Sequence, residues 1–267
     1  MSSASNAIDD PRTRDGDLHP LRPLPWPSKN ETGHRGPIIF VDMDEVIADF
    51  IGQVCRLFQV TPDQVDRLRP NGEWSIVPSL RQLGKVRDVR DMWDTIDSRG
   101  SDFWRTLPVL PGTDKIIQMV SAITDQWYLL SSPSHSIYSR IGKIQWIKRV
   151  FGPTFDRYLL TPHKHLLAGP GRILIDDRPD NVHTFQENGG LGILYPHPGN
   201  ENRGYTATQI EWLKIQLESA CPVETFHSEW MNRTPAQDAC TEQIQLEAAQ
   251  SRPHYDSHNQ SGPNPTQ

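Results

Sequence analysis

Two pairs of carboxylates each follow directly after an apolar stretch of the chain. Asp42 and Asp44 come after a run of Ile, Phe and Val, and Asp176 and Asp177 come after Ile-Leu-Ile. Carboxylates this close repel one another unless a cation or a shared proton lies between them. Hard divalent cations such as Mg²⁺ take oxygen ligands of this type. The residues therefore predict a metal site, and Mg²⁺ is the ion that we expect there.

Two hydroxyls end a third apolar run. Ser131 and Ser132 follow Trp-Tyr-Leu-Leu and precede Pro133, which has no N–H to continue a strand. A serine hydroxyl in this position can donate to a phosphate oxygen. Taken alone, the same three residues are also typical of an ordinary loop start.

The elements that must position these groups alternate between strands and helices. Apolar and β-branched runs predict strands at 38–42, 127–130, 157–160, 172–175 and 191–194. Helical spacing of apolar residues predicts helices at 46–60, 113–124, 136–150, 179–188 and 206–219. This alternation is typical of an α/β fold with a parallel sheet flanked by helices, in which ligands bind at the carboxyl ends of the strands.

Several of these strings resemble known phosphatase motifs. The sequence VDMDEVIADF at 41–50 resembles the first motif of the haloacid dehalogenase-like (HAD) superfamily, and more closely that of the 5′(3′)-deoxyribonucleotidases. IDDRPD at 175–180 resembles the fourth motif of that family, and Ser131 stands at the Ser or Thr position of the second. The resemblance runs from Ile38 to Leu217. It implies a Rossmann-like HAD core and a Mg²⁺-dependent phosphomonoesterase that dephosphorylates deoxynucleoside monophosphates.

The resemblance also implies a role for each acid. Asp42 would be the nucleophile that forms an aspartyl-phosphate, and Asp44 would be the acid and base of the two half-reactions. Mg²⁺ would be bound by the Asp42 carboxylate, the Asp44 backbone carbonyl and Asp177. Asp176 would bind the ion through water or orient the other ligands.

Two lysines have counterparts in the same family. Lys164 stands where the third motif has a lysine that neutralises phosphate charge, and His163 and His165 are the nearest alternative positions. Lys143 matches a lysine of the nucleotidase pattern Lys-x-x-Trp and would reach the substrate. A lone helix lysine is otherwise typical of a solvated face.

Residues 61–107 are irregular and rich in aromatic side chains. A segment inserted here resembles the small helical cap that covers the active site in one branch of the superfamily. By that comparison Phe50 and Trp93 are the first candidates for stacking on a nucleobase, followed by Trp74, Phe103 and Trp104. The alternative is that these aromatics form the core of the cap.

One residue departs from the family pattern. Glu45 stands where nucleotidases have Gly, so a third carboxylate could repel the substrate in a turn that favours Gly. This keeps open a HAD phosphatase for another small ester or for a phosphoprotein. A non-catalytic phosphate-binding or scaffold protein is the alternative from another class, although pure binding needs no acid–base pair.

The composition divides the chain into four parts. Residues 1–36 and 221–267 are rich in Pro, Ser, Gln and Asn, which favours disorder. We expect the α/β core to comprise 37–60 and 108–220, and the cap to comprise 61–107.

Charge and cysteine content limit the partners and the compartment. Lys and Arg number 27 against 33 Asp and Glu, so a nucleic-acid polymer is not the expected partner. The three cysteines, Cys55, Cys221 and Cys240, form no metal or disulfide pattern. Because no apolar run could span a membrane and no secretory-type leader is present, we expect a cytoplasmic protein that acts on a small phosphate ester. The sequence leaves a homodimer open.

Overall fold

The fold is built on a parallel sheet. A computed structural model of the chain describes residues 36–70 and 72–221. Five strands pair in the order β3-β2-β1-β4-β5, and every pairing is parallel. The strands are β1 (Ile38–Val41), β2 (Trp127–Ser131), β3 (Tyr158–Leu160), β4 (Arg172–Asp176) and β5 (Leu191–Leu194).

Helices connect the strands and flank the sheet. They are α1 (Phe50–Phe58), α2 (Pro62–Leu68), α3 (Val77–Gln82), α4 (Val89–Asp97), α5 (Ser101–Arg105), α6 (Thr113–Ile123), α7 (Ile137–Phe151), α8 (Pro179–Glu187) and α9 (Gln209–Ala220). Two 3₁₀ helices span Lys164–Leu167 and Glu201–Thr208. The predicted α/β fold with a parallel sheet is therefore confirmed.

The central strand β1 is covered on both faces. Ile39 and Val41 lie in the larger hydrophobic cluster, whereas Phe40 lies in a second cluster with Leu130, Leu174 and Phe185. Successive side chains of a strand point to opposite faces, so an apolar run without alternation is what a two-sided core requires.

The first helix begins later than the sequence pattern predicts. Residues 44–48 form a turn in which the Ala48 N–H donates to the Met43 carbonyl over 2.8 Å. Asp49 then caps α1, because its Oδ1 accepts from the Gly52 N–H over 2.7 Å. The apolar residues Val46 and Ile47 therefore belong to the turn, although their spacing fits a helix.

The described part of segment 61–107 contains four helices, α2 to α5, and no strand. Its designation as a cap and the four domain boundaries stay predictions. The predicted disorder of 1–36 and 221–267 concerns residues that lie almost entirely outside those described. Within residues 36–70 and 72–221, no helix combines the length and the hydrophobicity that crossing a bilayer requires.

Candidate active site

Three of the four acids meet at the carboxyl edge of the sheet. Strands β1 and β4 are neighbours, and the Asp42 N–H donates to the Ile175 carbonyl over 2.8 Å. Carboxylate oxygens of Asp42, Asp176 and Asp177 all lie within 4.8 Å of one another, and all three residues are buried. Acids far apart in the chain thus converge at one point.

Lys164 lies between two of these acids. Its Nζ is 2.7 Å from Asp42 Oδ1 and donates to Asp176 Oδ2 over 2.6 Å. Asp176 also accepts from the Arg178 N–H over 2.9 Å and from Asn181 Nδ2 over 3.0 Å. Asp176 is therefore saturated by donors, which suits an orienting residue better than a direct metal ligand.

The structure distinguishes Lys164 from its histidine neighbours. Lys164 is 2% exposed, whereas His163 is exposed and His165 is half-buried. The two imidazoles contact each other edge to face, with ring centroids 5.9 Å apart. Of the three, only Lys164 reaches the acid cluster.

The charges of the cluster are unbalanced. Burial raises the pKa of Asp42 from 3.8 to about 7, against the attraction of Lys164 and with added repulsion from Asp176. Burial likewise raises the pKa of Asp177 well above its usual range, and repulsion by the neighbouring acids adds to this. The pKa of Lys164 is raised, because the two carboxylates outweigh the opposing effect of its burial.

The charge and the donor atoms of the cluster suit a cation. One ammonium faces three buried acids, and burial together with repulsion between neighbouring acids raises the pKa of two of them. All the donor atoms are hard oxygens, which suits Mg²⁺. The residues therefore fit the predicted ion.

Lys143 connects the second acid to the serine at the end of β2. Its Nζ donates to Asp44 Oδ2 over 2.5 Å and to Ser131 Oγ over 2.9 Å. The side chain is fully buried, so it does not belong to a solvated helix face. Asp44 Oδ1 has no hydrogen-bond partner among the described residues. Ser132 is directed elsewhere, since its Oγ donates to the Thr161 carbonyl over 3.3 Å.

Four of the five predicted aromatic residues form one packed group, namely Phe50, Trp93, Phe103 and Trp104. Phe50 and Trp104 stack with ring centroids 5.4 Å apart, and Trp93 is nearly parallel to Trp104 at 6.4 Å. Phe103 and Trp104 are buried, whereas Trp93 is half-buried. Lys143 Nζ lies 5.0 Å from the centroid of the Trp104 ring. The group therefore adjoins the acids, and Phe103 and Trp104 behave as core.

Trp74 has a contact that the sequence did not predict. Its Nε1 donates to Asp177 Oδ2 over 2.6 Å, and the Arg178 guanidinium lies 4.5 Å from the indole centroid. Trp74 was predicted only as a second-rank aromatic for a nucleobase. No local pattern could reveal this bond, because 103 positions separate its two residues.

Glu45 is engaged by two partners. Its φ is +60°, the left-handed region that favours Gly. Oε1 accepts from the Ile51 N–H over 2.6 Å, and Oε2 lies 3.4 Å from His197 Nε2. His197 Nδ1 accepts from the Gly199 N–H over 3.0 Å, so Nε2 carries the ring proton. The extra carboxylate is thus fixed in place, and it contributes to the raised pKa of Asp177.

Comparison with known proteins decides the family. A family model described as 5′ nucleotidase, deoxy (pyrimidine), cytosolic type C protein matches residues 36–215. The chain belongs to this family. The deoxyribonucleotidase relationship predicted from the sequence motifs is confirmed.

Two human nucleotidases and one solved structure are similar to this chain. The human mitochondrial 5′(3′)-deoxyribonucleotidase is 31% identical over 198 residues, which cover 69% of this chain and 76% of the relative. The human cytosolic-type 5′(3′)-deoxyribonucleotidase is 29% identical over 164 residues, which cover 57% and 76%. A crystal structure of a HAD-family hydrolase from Deinococcus radiodurans R1 with bound phosphate and sodium is 16% identical. The superposition covers 61% of this chain and 84% of the hydrolase, with a TM-score of 0.41.

Proposed function

We propose that this protein is a Mg²⁺-dependent 5′(3′)-deoxyribonucleotidase that hydrolyses deoxynucleoside monophosphates. Membership of the nucleotidase family supports the reaction class. The convergence of Asp42, Asp176 and Asp177 within 4.8 Å carries the proposal, because it provides the acid cluster that phosphoryl transfer to a carboxylate requires.

Asp42 is the nucleophile of this proposal. Its carboxylate attacks phosphorus in line with the leaving oxygen and forms an aspartyl-phosphate. The Asp42 and Asp177 carboxylates and the Asp44 carbonyl would hold Mg²⁺, which supplies charge neutralisation for an anion that approaches a carboxylate. Lys164, 2.7 Å from Asp42, neutralises the oxygens of the transferred group.

Asp44 is the proton carrier. Lys143 binds its Oδ2, and Oδ1 is available to protonate the leaving alkoxide and later to deprotonate the attacking water. The bond from Lys143 to Ser131 fixes the serine hydroxyl near the same acid. Ser131 then contributes a donor to the phosphate oxygens. The Ser132 hydroxyl is bonded to the Thr161 carbonyl, so Ser132 would contact the substrate through its backbone and not through its hydroxyl.

The nucleobase contacts the aromatic group in this proposal. Trp93 is the half-buried member of the packed rings, and Phe50 lies against it with centroids 6.0 Å apart. A base that stacks on Trp93 would gain on the order of 1–3 kcal/mol. Trp93 is accordingly the first candidate for base contact, with Phe50 behind it.

The compartment and partners are part of the same proposal. The buried free thiols Cys55 and Cys221 suit a reducing cytoplasm, and one human relative is named as cytosolic type. The protein acts on a small phosphate ester and needs no polymeric nucleic acid. A homodimer stays a prediction.

Phosphate release from a panel of esters tests the reaction. The panel comprises deoxynucleoside 5′- and 3′-monophosphates, ribonucleotides, sugar phosphates and a phosphopeptide, each with Mg²⁺ and with EDTA. We expect deoxynucleoside monophosphates to give the highest kcat/KM. Asp42→Asn should lower kcat by about 10³-fold or more, because it removes the nucleophile.

The matched control is Asp180→Asn. Asp180 follows the same acid pair, but its side chain is 91% exposed. This variant should retain normal kcat. Release from sugar phosphates or the phosphopeptide alone would overturn the nucleotidase assignment, and no Mg²⁺-dependent release from any ester would favour a binding protein.

A further inference from the structure

We propose that Trp74 is a positioning residue for the metal ligand Asp177, so that Mg²⁺ binding and docking of the segment around Trp74 stabilise each other. The inference rests on the proposed function only through its Mg²⁺ site. It assigns Trp74 to the metal centre rather than to the nucleobase.

The contact between the two side chains is direct. The Trp74 Nε1–H donates to Asp177 Oδ2 over 2.6 Å. A carboxylate has two oxygens, so coordination of a cation through Oδ1 leaves the indole bond intact. Donors to a metal-bound carboxylate fix its orientation, and their loss typically costs 10–100-fold in metal affinity.

Asp177 also differs from the other acids in its partners. Lys164 pairs with Asp42 and Asp176, and Lys143 pairs with Asp44. Within residues 36–70 and 72–221, no ion pair of Asp177 is found, and its side chain bonds a neutral indole. A neutral donor orients the carboxylate without competing with a cation for its charge.

Trp74 is itself well fixed. Arg69, whose side chain is 3% exposed, donates from Nη1 to the Trp74 carbonyl over 2.7 Å. The Arg178 guanidinium lies over the indole at 4.5 Å from its centroid, and the His197 ring is 6.3 Å away. These contacts restrict the orientation of the indole that donates to Asp177.

The segment around Trp74 docks on the loop after β5. A Cβ at Gly199 would lie 2.9 Å from Trp74 Cα and 3.1 Å from the Glu73 carbonyl oxygen, so the two backbones are in close contact. The neighbouring Asn200 donates from Nδ2 to the Asp177 carbonyl over 2.8 Å. Asp177 is thus held by Trp74 at its carboxylate and by Asn200 at its backbone.

This geometry makes two equilibria depend on each other. If the docked segment strengthens Mg²⁺ binding through Asp177, then Mg²⁺ must strengthen docking by the same factor. The segment around Trp74 would then be docked most stably when the ion is bound.

Trp74→Phe tests the inference, since it keeps a ring and removes the N–H. Isothermal titration calorimetry with Mg²⁺ alone gives the dissociation constant without substrate or turnover. We expect Mg²⁺ to bind Trp74→Phe about tenfold more weakly than the unchanged protein. Trp93→Phe is the matched control for metal affinity only, because Trp93 contacts the aromatic rings and not Asp177.

Hydrogen exchange provides the reciprocal measurement. Mg²⁺ should slow the exchange of amides 72–76 in the unchanged protein, and this protection should be smaller in Trp74→Phe. A role confined to stability would instead lower the unfolding midpoint of Trp74→Phe and leave its Mg²⁺ affinity unchanged.

The outcomes separate this inference from the proposed function. Equal Mg²⁺ affinity in the unchanged protein and Trp74→Phe would overturn the inference alone. Absence of Mg²⁺ binding to the unchanged protein would overturn the metal site and the inference with it. Mg²⁺ binding that depends on Trp74, without phosphate release from any ester, would support the inference and overturn the nucleotidase proposal.

Discussion

At the scale of single residues, two lysines pair with three of the four acids at the site. Lys143 pairs with Asp44, and Lys164 pairs with Asp42 and Asp176. Because both lysines are buried, their charges are poorly screened and act mainly on these partners. An ammonium has three N–H donors. Each of these two contacts two partners among the described residues, so one donor remains for a phosphate oxygen.

The stability of the metal-free protein should depend on pH through Asp42. Its folded pKa of about 7 exceeds the usual 3.8, so between these values the folded state binds more protons than the unfolded state. Stability is then greatest below about pH 4 for this group and is lost as pH rises towards 7. In EDTA, urea unfolding should give a lower free energy at pH 7 than at pH 5, with Asp42 contributing at most about 1.4 kcal/mol per pH unit.

Asp42→Asn isolates this contribution. The variant cannot titrate at position 42, so its free energy of unfolding should fall less steeply over the same pH range. Asp177 acts in the same direction and retains part of the slope. Equal slopes in both proteins would show that Asp42 does not bind a proton on folding.

Glu45 should stabilise the fold despite its backbone conformation. Glu45→Gly relieves a left-handed φ of +60°, which costs on the order of 1 kcal/mol for an ordinary residue. It also removes the bond to the Ile51 N–H and the contact of Glu45 with Nε2 of buried His197. We expect the free energy of unfolding to fall by about 2 kcal/mol, measured by urea denaturation with Mg²⁺ present.

Glu45→Gln is the matched variant. It keeps an acceptor oxygen for Ile51 and should lose less stability than Glu45→Gly. A gain of stability in Glu45→Gly would mean that backbone strain outweighs the two side-chain contacts.

At the scale of elements, close packing of α5 on α7 brings Lys143 to the acids. A Cβ at Gly142 would lie 2.4 Å from Trp104 Cβ and 2.5 Å from the Ser101 carbonyl oxygen. The two helices touch through this glycine, one residue before Lys143. The contact determines both how deep Lys143 lies and how near Trp104 comes to it.

Gly142→Ala should therefore destabilise the protein. Alanine is favoured over glycine in a helix by about 1 kcal/mol, but the close contacts at this position force α5 and α7 apart. We expect a net loss of about 2 kcal/mol in the free energy of unfolding.

Gly204→Ala serves as the comparison, because a Cβ there would meet no atom within 4 Å among the described residues, apart from its own chain neighbours. Its free energy of unfolding should change by no more than about 0.5 kcal/mol. If Gly142→Ala were equally neutral, the packing of α5 on α7 would have to be looser than described.

At the scale of the whole molecule, the acid cluster joins parts of the chain that are distant in sequence. Asp42 ends β1, Asp177 follows β4, Lys143 comes from α7, and Trp74 belongs to the segment between α2 and α3. An ion bound at this junction should therefore stabilise the folded molecule as a unit.

Mg²⁺ should raise the thermal unfolding midpoint. Free Mg²⁺ at 100 times its dissociation constant contributes about 2.7 kcal/mol. Asp177→Asn removes a proposed ligand and should abolish the rise, whereas exposed Asp180→Asn should retain it. An equal rise in both variants would place the ion elsewhere.

The fold class, the family and the acids at the strand ends could all be predicted from the sequence. The buried strands and the motifs around Asp42 and Asp177 are local patterns, because neighbouring residues define each of them. The strands of a parallel sheet have their carboxyl ends at one edge, so these patterns also predict that the acids converge. The helix at 46–60 shows the limit of such patterns, since a turn and the Asp49 cap delay its start to Phe50.

The pairing of the charged and aromatic side chains could be seen only in the folded molecule. The contacts of Lys143 with Asp44, of Glu45 with His197 and of Trp74 with Asp177 join residues 99, 152 and 103 positions apart. The partner of a buried charge is set by which elements pack together, and spacing along the chain carries no record of that packing.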